Sequence, residues 1–217
     1  MTAPHQNDEY IQKLKKRIIE LEDQLRTDEL TRILNRRGLM EYLETMVSEV
    51  LFQFKHPDRR RFLIIKSFSL VFVDLDHFKS INDTYGHQTG DKVLRTVTTL
   101  VRDELRGIDI VGRYGGEEIV IGLVGASAEA ARVISEGLRT KIEKLDFEHG
   151  GEKFQVTASF GVASLQAGMS LKSLIGQADA AVYEAKESGR NKVVLYHDNL
   201  KSSSSKEVEI LGKPAQG

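Results

Sequence analysis

The sequence predicts an α/β sandwich with one central, partly antiparallel sheet. Three observations carry that prediction. A continuous apolar run, Phe68-Ser69-Leu70-Val71-Phe72-Val73, ends in Asp74-Leu75-Asp76 and reads as a strand buried on both faces. Two short apolar runs, Ile110-Val111 and Ile119-Val120-Ile121, flank a Gly-Gly link and read as a hairpin. Amphipathic helical patterns alternate with these strands. The order is helix, strand, helix, hairpin, helix, strand, helix, strand, without an internal repeat.

Before the compact domain, residues 8–27 carry Ile11, Leu14, Ile18, Leu21 and Leu25 at spacings of three, four, three and four. Isoleucine at a with leucine at d favours a parallel two-stranded coiled coil. The seam covers about two and a half heptads, marginal by itself, and the alternative is an amphipathic helix packed on its own domain. Residues 1–27 are therefore read as a helical stalk, 28–198 as the globular domain and 199–217 as a disordered tail, given its four consecutive serines.

Within the domain, residues 38–54 read as a helix with Leu39, Tyr42, Leu43, Met46 and Val50 on one face. A basic link follows from Lys55 to Arg61, then the apolar strand. Residues 91–105 place Val93, Leu94, Val97, Leu100, Val101 and Leu105 at helical spacing. Another helix spans 127–144, N-capped by Ser127, with Ala131, Ile134, Leu138 and Ile142 inward. Residues 153–163 alternate as a strand. A last helix runs from Ser170 to Ser188 and is ended by Gly189. Val193–Tyr196 closes the sheet.

Composition excludes several function classes. At 217 residues and 40% hydrophobic content, the chain can bury one core plus extensions. It has no cysteine, hence no disulfide framework and no thiolate metal site. No apolar run approaches a membrane span and no apolar signal opens the chain, so a soluble cytoplasmic protein is expected. A net charge of −1, from 31 basic and 32 acidic residues, argues against a nucleic-acid polymer as partner. Phosphate recognition must be local.

The chemistry concentrates at two places. In Arg113-Tyr114-Gly115-Gly116-Glu117-Glu118-Ile119, two glycines and two carboxylates sit on a tight turn with open space above it. At the end of the apolar strand, Asp74 is costly to bury unpaired, and a divalent cation would compensate it. Magnesium takes oxygen ligands and keeps phosphate oxygens beside one or two carboxylates. Asp74 with Glu117 or Glu118 could supply them, while Asp76 faces elsewhere. The plain alternatives are an N-cap role for Asp76 and a salt bridge for Asp74. Lys79 can meet a phosphate. Asn82 and Asp91 can pair with a base edge, a carboxylate there favouring guanine, although Asn82-Asp83 and Gly90-Asp91 also suit turns and caps. Lys186 and Arg190 bracket a helix terminus, where basic residues also complement the helix dipole.

Together these residues closely resemble the GGDEF domain of diguanylate cyclases. The likeness runs from Asp28 to about Tyr196. It comprises Asp28-Glu29-Leu30-Thr31-Arg32-Ile33-Leu34-Asn35-Arg36-Arg37, the segment Asp74 to Asp91, Gly115 to Ile119, Val156 to Val162, and Ala185 to Asn191. The resemblance implies an adenylyl-cyclase-like palm, with a central mixed five-stranded sheet flanked by helices and an N-terminal coiled-coil helix. It implies condensation of two GTP into cyclic di-GMP and pyrophosphate. Asp74, Glu117 and the Leu75 carbonyl would ligate magnesium, with manganese a possible substitute. Glu118 would serve a second ion, two per half-site, and help activate the attacking hydroxyl. Gly115 and Gly116 would let the turn lie against the nucleotide. Asn82 and Asp91 would read guanine; Lys79, Lys186 and Arg190, with the amides of His77 and Phe78, would hold the outer phosphates.

Because the product needs two symmetric bonds, two domains must face each other, and the stalk would supply a homodimer through Ile11, Leu14, Ile18, Leu21 and Leu25. Arg106-Gly107-Ile108-Asp109 has the placement of the family's RxxD product-inhibition site, with Arg139 as a guess for a further arginine. The signature ends in Ile119 instead of phenylalanine, which implies a packing change. No complete sensor domain is expected within the residues read as the stalk. The rival readings are a catalytically silent module that binds GTP or cyclic di-GMP, an enzyme making an adenine-containing dinucleotide, and a dimerisation module. Silent members typically lose signature carboxylates, which this chain keeps.

Overall fold

The computed structural model describes residues 10–17, 24–56 and 65–198. Residues 10–17 and 24–26 are helical. Ile11, Leu14 and Leu25 of the heptad seam are exposed there, whereas Ile18, Leu21, the link from Pro57 to Arg61 and the tail from 199 lie outside the described residues. The domain then runs α1 (Arg36–Lys55), β1 (Phe68–Leu75), α2 (Phe78–Tyr85), α3 (His87–Glu104), β2 (Ile110–Arg113), β3 (Glu118–Val124), α4 (Ala128–Glu143), β4 (Asp146–His149), β5 (Glu152–Gln155), β6 (Ala158–Ser164), α5 (Leu171–Glu187) and β7 (Val193–Leu195). No described helix is long and apolar enough to cross a membrane.

Five strands form one mixed sheet in the order β2-β3-β1-β6-β7. The β6–β7 pair is parallel and the others are antiparallel. As its unbroken apolar pattern requires, β1 is central and buried along its whole length. Its odd residues Val71, Val73 and Leu75 pack with Val93, Leu94 and Val97 of α3 and Leu138 and Ile142 of α4. Its even residues Phe68, Leu70 and Phe72 pack with Leu39 and Leu43 of α1 and Leu174 and Ile175 of α5. The two-residue alternation thus divides the core into two layers, with the strand ends left for chemistry.

Local signals explain the boundaries. Ser127 caps α4 as expected, accepting from the Ala130 amide at 3.3 Å. Asn35 caps α1 by accepting from the Gly38 amide at 2.9 Å.

Three elements depart from the sequence expectation. The stretch after β1 contains its own helix, α2, and Gly86 at φ 82° separates it from α3. The strand expected over 153–163 is two strands, β5 and β6, in different sheets. Between them, the Thr157 carbonyl accepts the Asp76 amide at 2.9 Å, drawing the chain onto the end of β1. The polar segment of β4 pairs with β5, and its one buried side chain, Phe147, lies 5.6 Å centroid to centroid from Phe154, which stacks on Tyr85 at 4.4 Å.

Candidate active site

Sheet register brings the carboxylates together. Asp74 of β1 lies opposite Glu118 of β3 on one side and Ser159 of β6 on the other. The turn joining β2 and β3 is closed by the Tyr114 amide donating to the Glu118 carbonyl at 2.9 Å. A Cβ on Gly115 would stand 2.2 Å from Glu118 Oε2. The Glu118 carboxylate therefore folds over the turn, in space that only glycine leaves open.

Lys186, in the last turn of α5, reaches Asp74 with an Nζ–Oδ2 distance of 2.6 Å. Burial pushes the Asp74 carboxyl above its ordinary range; the Lys186 ammonium opposes that, while the charges of Glu117 and Asp76 add to it. Glu118 is also raised, first by burial and then by Asp74, Asp179 and Glu117. Asp179, half-buried and raised by burial, lies seven residues before Lys186 on α5. Sequence reasoning missed it, although two helical turns separate it from Lys186 on one face.

Crowded, dehydrated carboxylates with raised proton affinity form a donor set that suits a hard divalent cation. Among the described residues no three His, Asp or Glu side chains already converge as a metal cage, and the Lys186 ammonium supplies the positive charge at Asp74.

A cavity of about 490 Å³ adjoins the cluster, between α2, α3 and the hairpin, and shares Gly116 and Glu117 with it. Phe78 and Leu94 are its apolar walls; Lys79, Asn82 and Asp91 are its polar lining. Asn82 and Asp91 are half-buried. Each is within reach of the cavity and neither side chain is consumed by a hydrogen bond among the described residues. At the start of α2, His77 is left-handed at φ 56° and gives no side-chain cap to the first-turn amides that begin with Phe78.

Asp76 is neither an N-cap nor part of the carboxylate cluster. Strand parity would put Asp74 and Asp76 on one face, but β1 ends at Leu75 and the chain turns away through His77. The Asp76 carboxylate accepts from Ser159 Oγ and Thr157 Oγ1, both at 2.7 Å, and from the Asn191 amide at 3.0 Å.

One further expectation needs correction. Arg139 is not available as an additional product-site arginine. It is held by Glu136 at 2.8 Å, Glu143 at 3.0 Å and the Asn191 side chain at 2.8 Å. The Asp109 carboxylate is already occupied. The side chain is 2% exposed; it takes the Arg106 guanidinium at 2.9 and 3.0 Å, the Arg106 amide at 3.1 Å and the Val124 amide at 3.0 Å. A guanine edge reaches it only by displacing Arg106.

Arg113 carried no expectation from sequence. It donates to the Gly116 carbonyl at 2.8 and 2.9 Å and to both Asp28 oxygens at 3.2 and 3.3 Å. The turn leading into the domain is thereby bonded to the signature hairpin.

Comparison with known proteins agrees with this arrangement. The family model described as "Diguanylate cyclase, GGDEF domain" matches residues 25–192. Diguanylate cyclase A of Treponema denticola is 37% identical over 171 residues, covering 78% of this chain and 45% of that protein. Diguanylate cyclase VdcA of Vibrio cholerae is 35% identical over 187 residues, covering 85% of this chain and 51% of that protein. The chain thus spans about half the length of these two relatives. Among solved structures, the coiled coil and GGDEF domain of DgcB from Caulobacter crescentus, in complex with c-di-GMP, superposes with a TM-score of 0.78 at 26% identity. It covers 88% of this chain and 96% of that one. The mixed sheet, the carboxylate-bearing Gly-Gly hairpin and the match over residues 25–192 place this chain in the diguanylate cyclase GGDEF-domain family.

Proposed function

We propose that this chain condenses two GTP into one cyclic di-GMP and two pyrophosphate. The observation that carries the reading is one continuous site: a cavity with unspent Asn82 and Asp91 opens onto the Asp74–Glu118 carboxylate pair, across Gly116 and Glu117. Residues 28–198 are the catalytic unit, and residues 1–27 a stalk that brings two copies face to face.

Asn82 and Asp91 read the guanine edge, the carboxylate accepting from N1–H and N2–H, which adenine lacks. Phe78 and Leu94 cover the faces of the base. Lys79, Lys186 and Arg190 hold the outer phosphates, assisted by the amides of His77 and Phe78 at the start of α2. Asp74, Glu117, Glu118 and the Leu75 carbonyl would hold magnesium or manganese, two ions per half-site, which would supply charge neutralisation at the triphosphate and acidify the attacking hydroxyl. Glu118 would also help take the proton from the 3′-hydroxyl. That oxygen attacks the α-phosphorus of the facing nucleotide, and pyrophosphate leaves. The same step in the opposite sense closes the ring. Lys186 pairs with Asp74 in the free protein and is drawn to phosphate when nucleotide arrives. Arg106 serves product inhibition, and Asp109 releases it to the ligand.

The test is an assay of the full chain with GTP and magnesium, products separated by chromatography, beside Glu118→Gln. Cyclic di-GMP from the wild type and a loss of at least about 100-fold in the variant are expected. A folded wild type that binds GTP but makes no product at any protein concentration, after bound nucleotide is stripped, contradicts the reading.

A further inference from the structure

The segment after α5 bends through three consecutive left-handed residues: Gly189 at φ 113°, Arg190 at 61° and Asn191 at 46°. Glycine adopts such angles freely, and asparagine tolerates them; for arginine they are sterically disfavoured. The Arg190 amide donates to the Ala185 carbonyl at 2.9 Å, closing the helix end, and two further sets of bonds fix Asn191, the residue that follows it. On the sheet side, the Asn191 amide donates to Asp76 Oδ2 at 3.0 Å. On the helix side, the Asn191 side chain accepts from Arg139 Nη1 at 2.8 Å and donates to Glu143 Oε1 at 2.9 Å, both on α4.

Asp76 is an expensive anchor for a loop. It is 3% exposed, and among the described residues it has hydroxyl and amide donors but no cationic partner within ion-pair distance. Burying a carboxylate costs free energy that its hydrogen bonds must offset. Thr157 and Ser159 hold Asp76 against the start of β6, and its third bond, from the Asn191 amide, ties the turn carrying Arg190 to that fixed point. That turn leaves the same helix end whose Lys186 already points at Asp74. The Arg190 side chain is half-buried and donates to no protein acceptor among the described residues, so its guanidinium is held ready for something else.

We propose that Asp76 and Asn191 are positioning residues: they clamp Arg190 in its left-handed conformation and so aim its guanidinium at the outer phosphates of the nucleotide. The inference rests on the reading of Arg190 as a phosphate ligand. It assigns the second carboxylate of Asp74-Leu75-Asp76 to aiming a cation, next to the carboxylate that faces the site.

A clamp acting through Arg190 makes a different prediction from one that only supports the fold. The affinity of the full chain is measured by calorimetry, with magnesium, for α,β-methylene GTP, whose carbon bridge blocks the transfer, and for GMP, which lacks outer phosphates. Asn191→Ala is expected to weaken the triphosphate analogue about tenfold and leave GMP unchanged. Asn191→Gly, which accepts the left-handed angle but lacks the side-chain bonds, should fall between the two. Arg190→Ala should show the same selective loss, and adding Asn191→Ala to it should cost nothing more, because the second residue acts through the first. Should Asn191→Ala fail to fold, Glu143→Gln loosens the same clamp from α4, with a smaller selective loss expected. Equal weakening of both ligands, or effects of Asn191 and Arg190 that add in full, would overturn the clamp. Unchanged triphosphate affinity in Arg190→Ala would overturn the phosphate reading beneath it, and the clamp with it.

Discussion

Gly90 shows how one missing methyl group shapes the site. It lies inside α3, where glycine costs about 1 kcal/mol relative to alanine. A Cβ there would stand 1.9 Å from Asn82 Oδ1 and 3.2 Å from Phe78 Cζ. The glycine therefore keeps room for the amide assigned to guanine. Gly90→Ala should gain helix propensity and lose part of it to the displaced Asn82, leaving stability within about 1 kcal/mol of wild type. Guanine recognition should fall by about 1–3 kcal/mol, roughly 5- to 150-fold in the preference for a GTP analogue over its ATP counterpart. Calorimetric titration of both analogues beside a thermal melt checks this; unchanged preference would remove Asn82 from base reading. At this scale residue type and spacing single out Asp74, Glu117, Glu118, Asn82 and Asp91, and the structure sets Asp74 opposite Glu118 and lines one cavity with Glu117, Asn82 and Asp91. The sequence was silent where the chemistry depends on distant pairs. Nothing local marks Lys186 as the partner of Asp74, Asp179 as a neighbour of Glu118, or Asp109 as already filled by its own arginine.

Asp28 and Arg113 act between elements. Asp28 takes the Thr31 amide at 2.9 Å and its hydroxyl at 2.6 Å, which shapes the turn, while Arg113 joins that turn to the Gly116 carbonyl. Burial by itself would raise the Asp28 carboxyl, but the Thr31 bonds and the Arg113 charge outweigh it and hold the group below its ordinary value of 3.8. A carboxyl lowered in the folded state stabilises fully above its unfolded value and loses that contribution as pH falls through the folded one. Asp28→Asn should thus cost about 1–2 kcal/mol near neutrality, and the gap should close as pH drops below 3.8. Urea unfolding at pH 7 and at pH 3 measures both; a gap of equal size at both would assign the loss to packing. Long periodic elements such as β1, α1, α4 and α5 were legible because their apolar periods are unbroken. By contrast, α2 was hidden in Asn82-Asp83 and Gly86, which read equally well as turn residues. Likewise β4 was hidden because Phe147 is its one buried side chain, too little for an alternating pattern. The break between β5 and β6 is set by a hydrogen bond from Asp76, far away in sequence.

At the scale of the whole molecule, the proposed reaction is beyond a single domain, since on that reading each domain holds one nucleotide and the ring needs two reciprocal attacks. The proposed activity would therefore depend on how often two domains meet. The exposed Ile11, Leu14 and Leu25 lie on the helical residues ahead of the domain, at heptad spacing that suits a second copy of the same chain. A short parallel coiled coil would hold the partner domain at an effective concentration near the millimolar range, far above an assay at submicromolar protein. Proline at position 14 removes a helical hydrogen bond and costs about 3 kcal/mol or more within the helix, enough to separate a seam of this length. For Leu14→Pro, specific activity should then be at least about tenfold below wild type at the lowest protein concentration, rise with concentration, and approach wild type at the highest. Wild-type specific activity should be nearly flat over the same range. Sedimentation at matching concentrations should show the variant shifting from monomer toward dimer as activity returns. Wild-type activity in Leu14→Pro at every concentration would mean that the domains pair through their own surfaces, and that the stalk has another purpose.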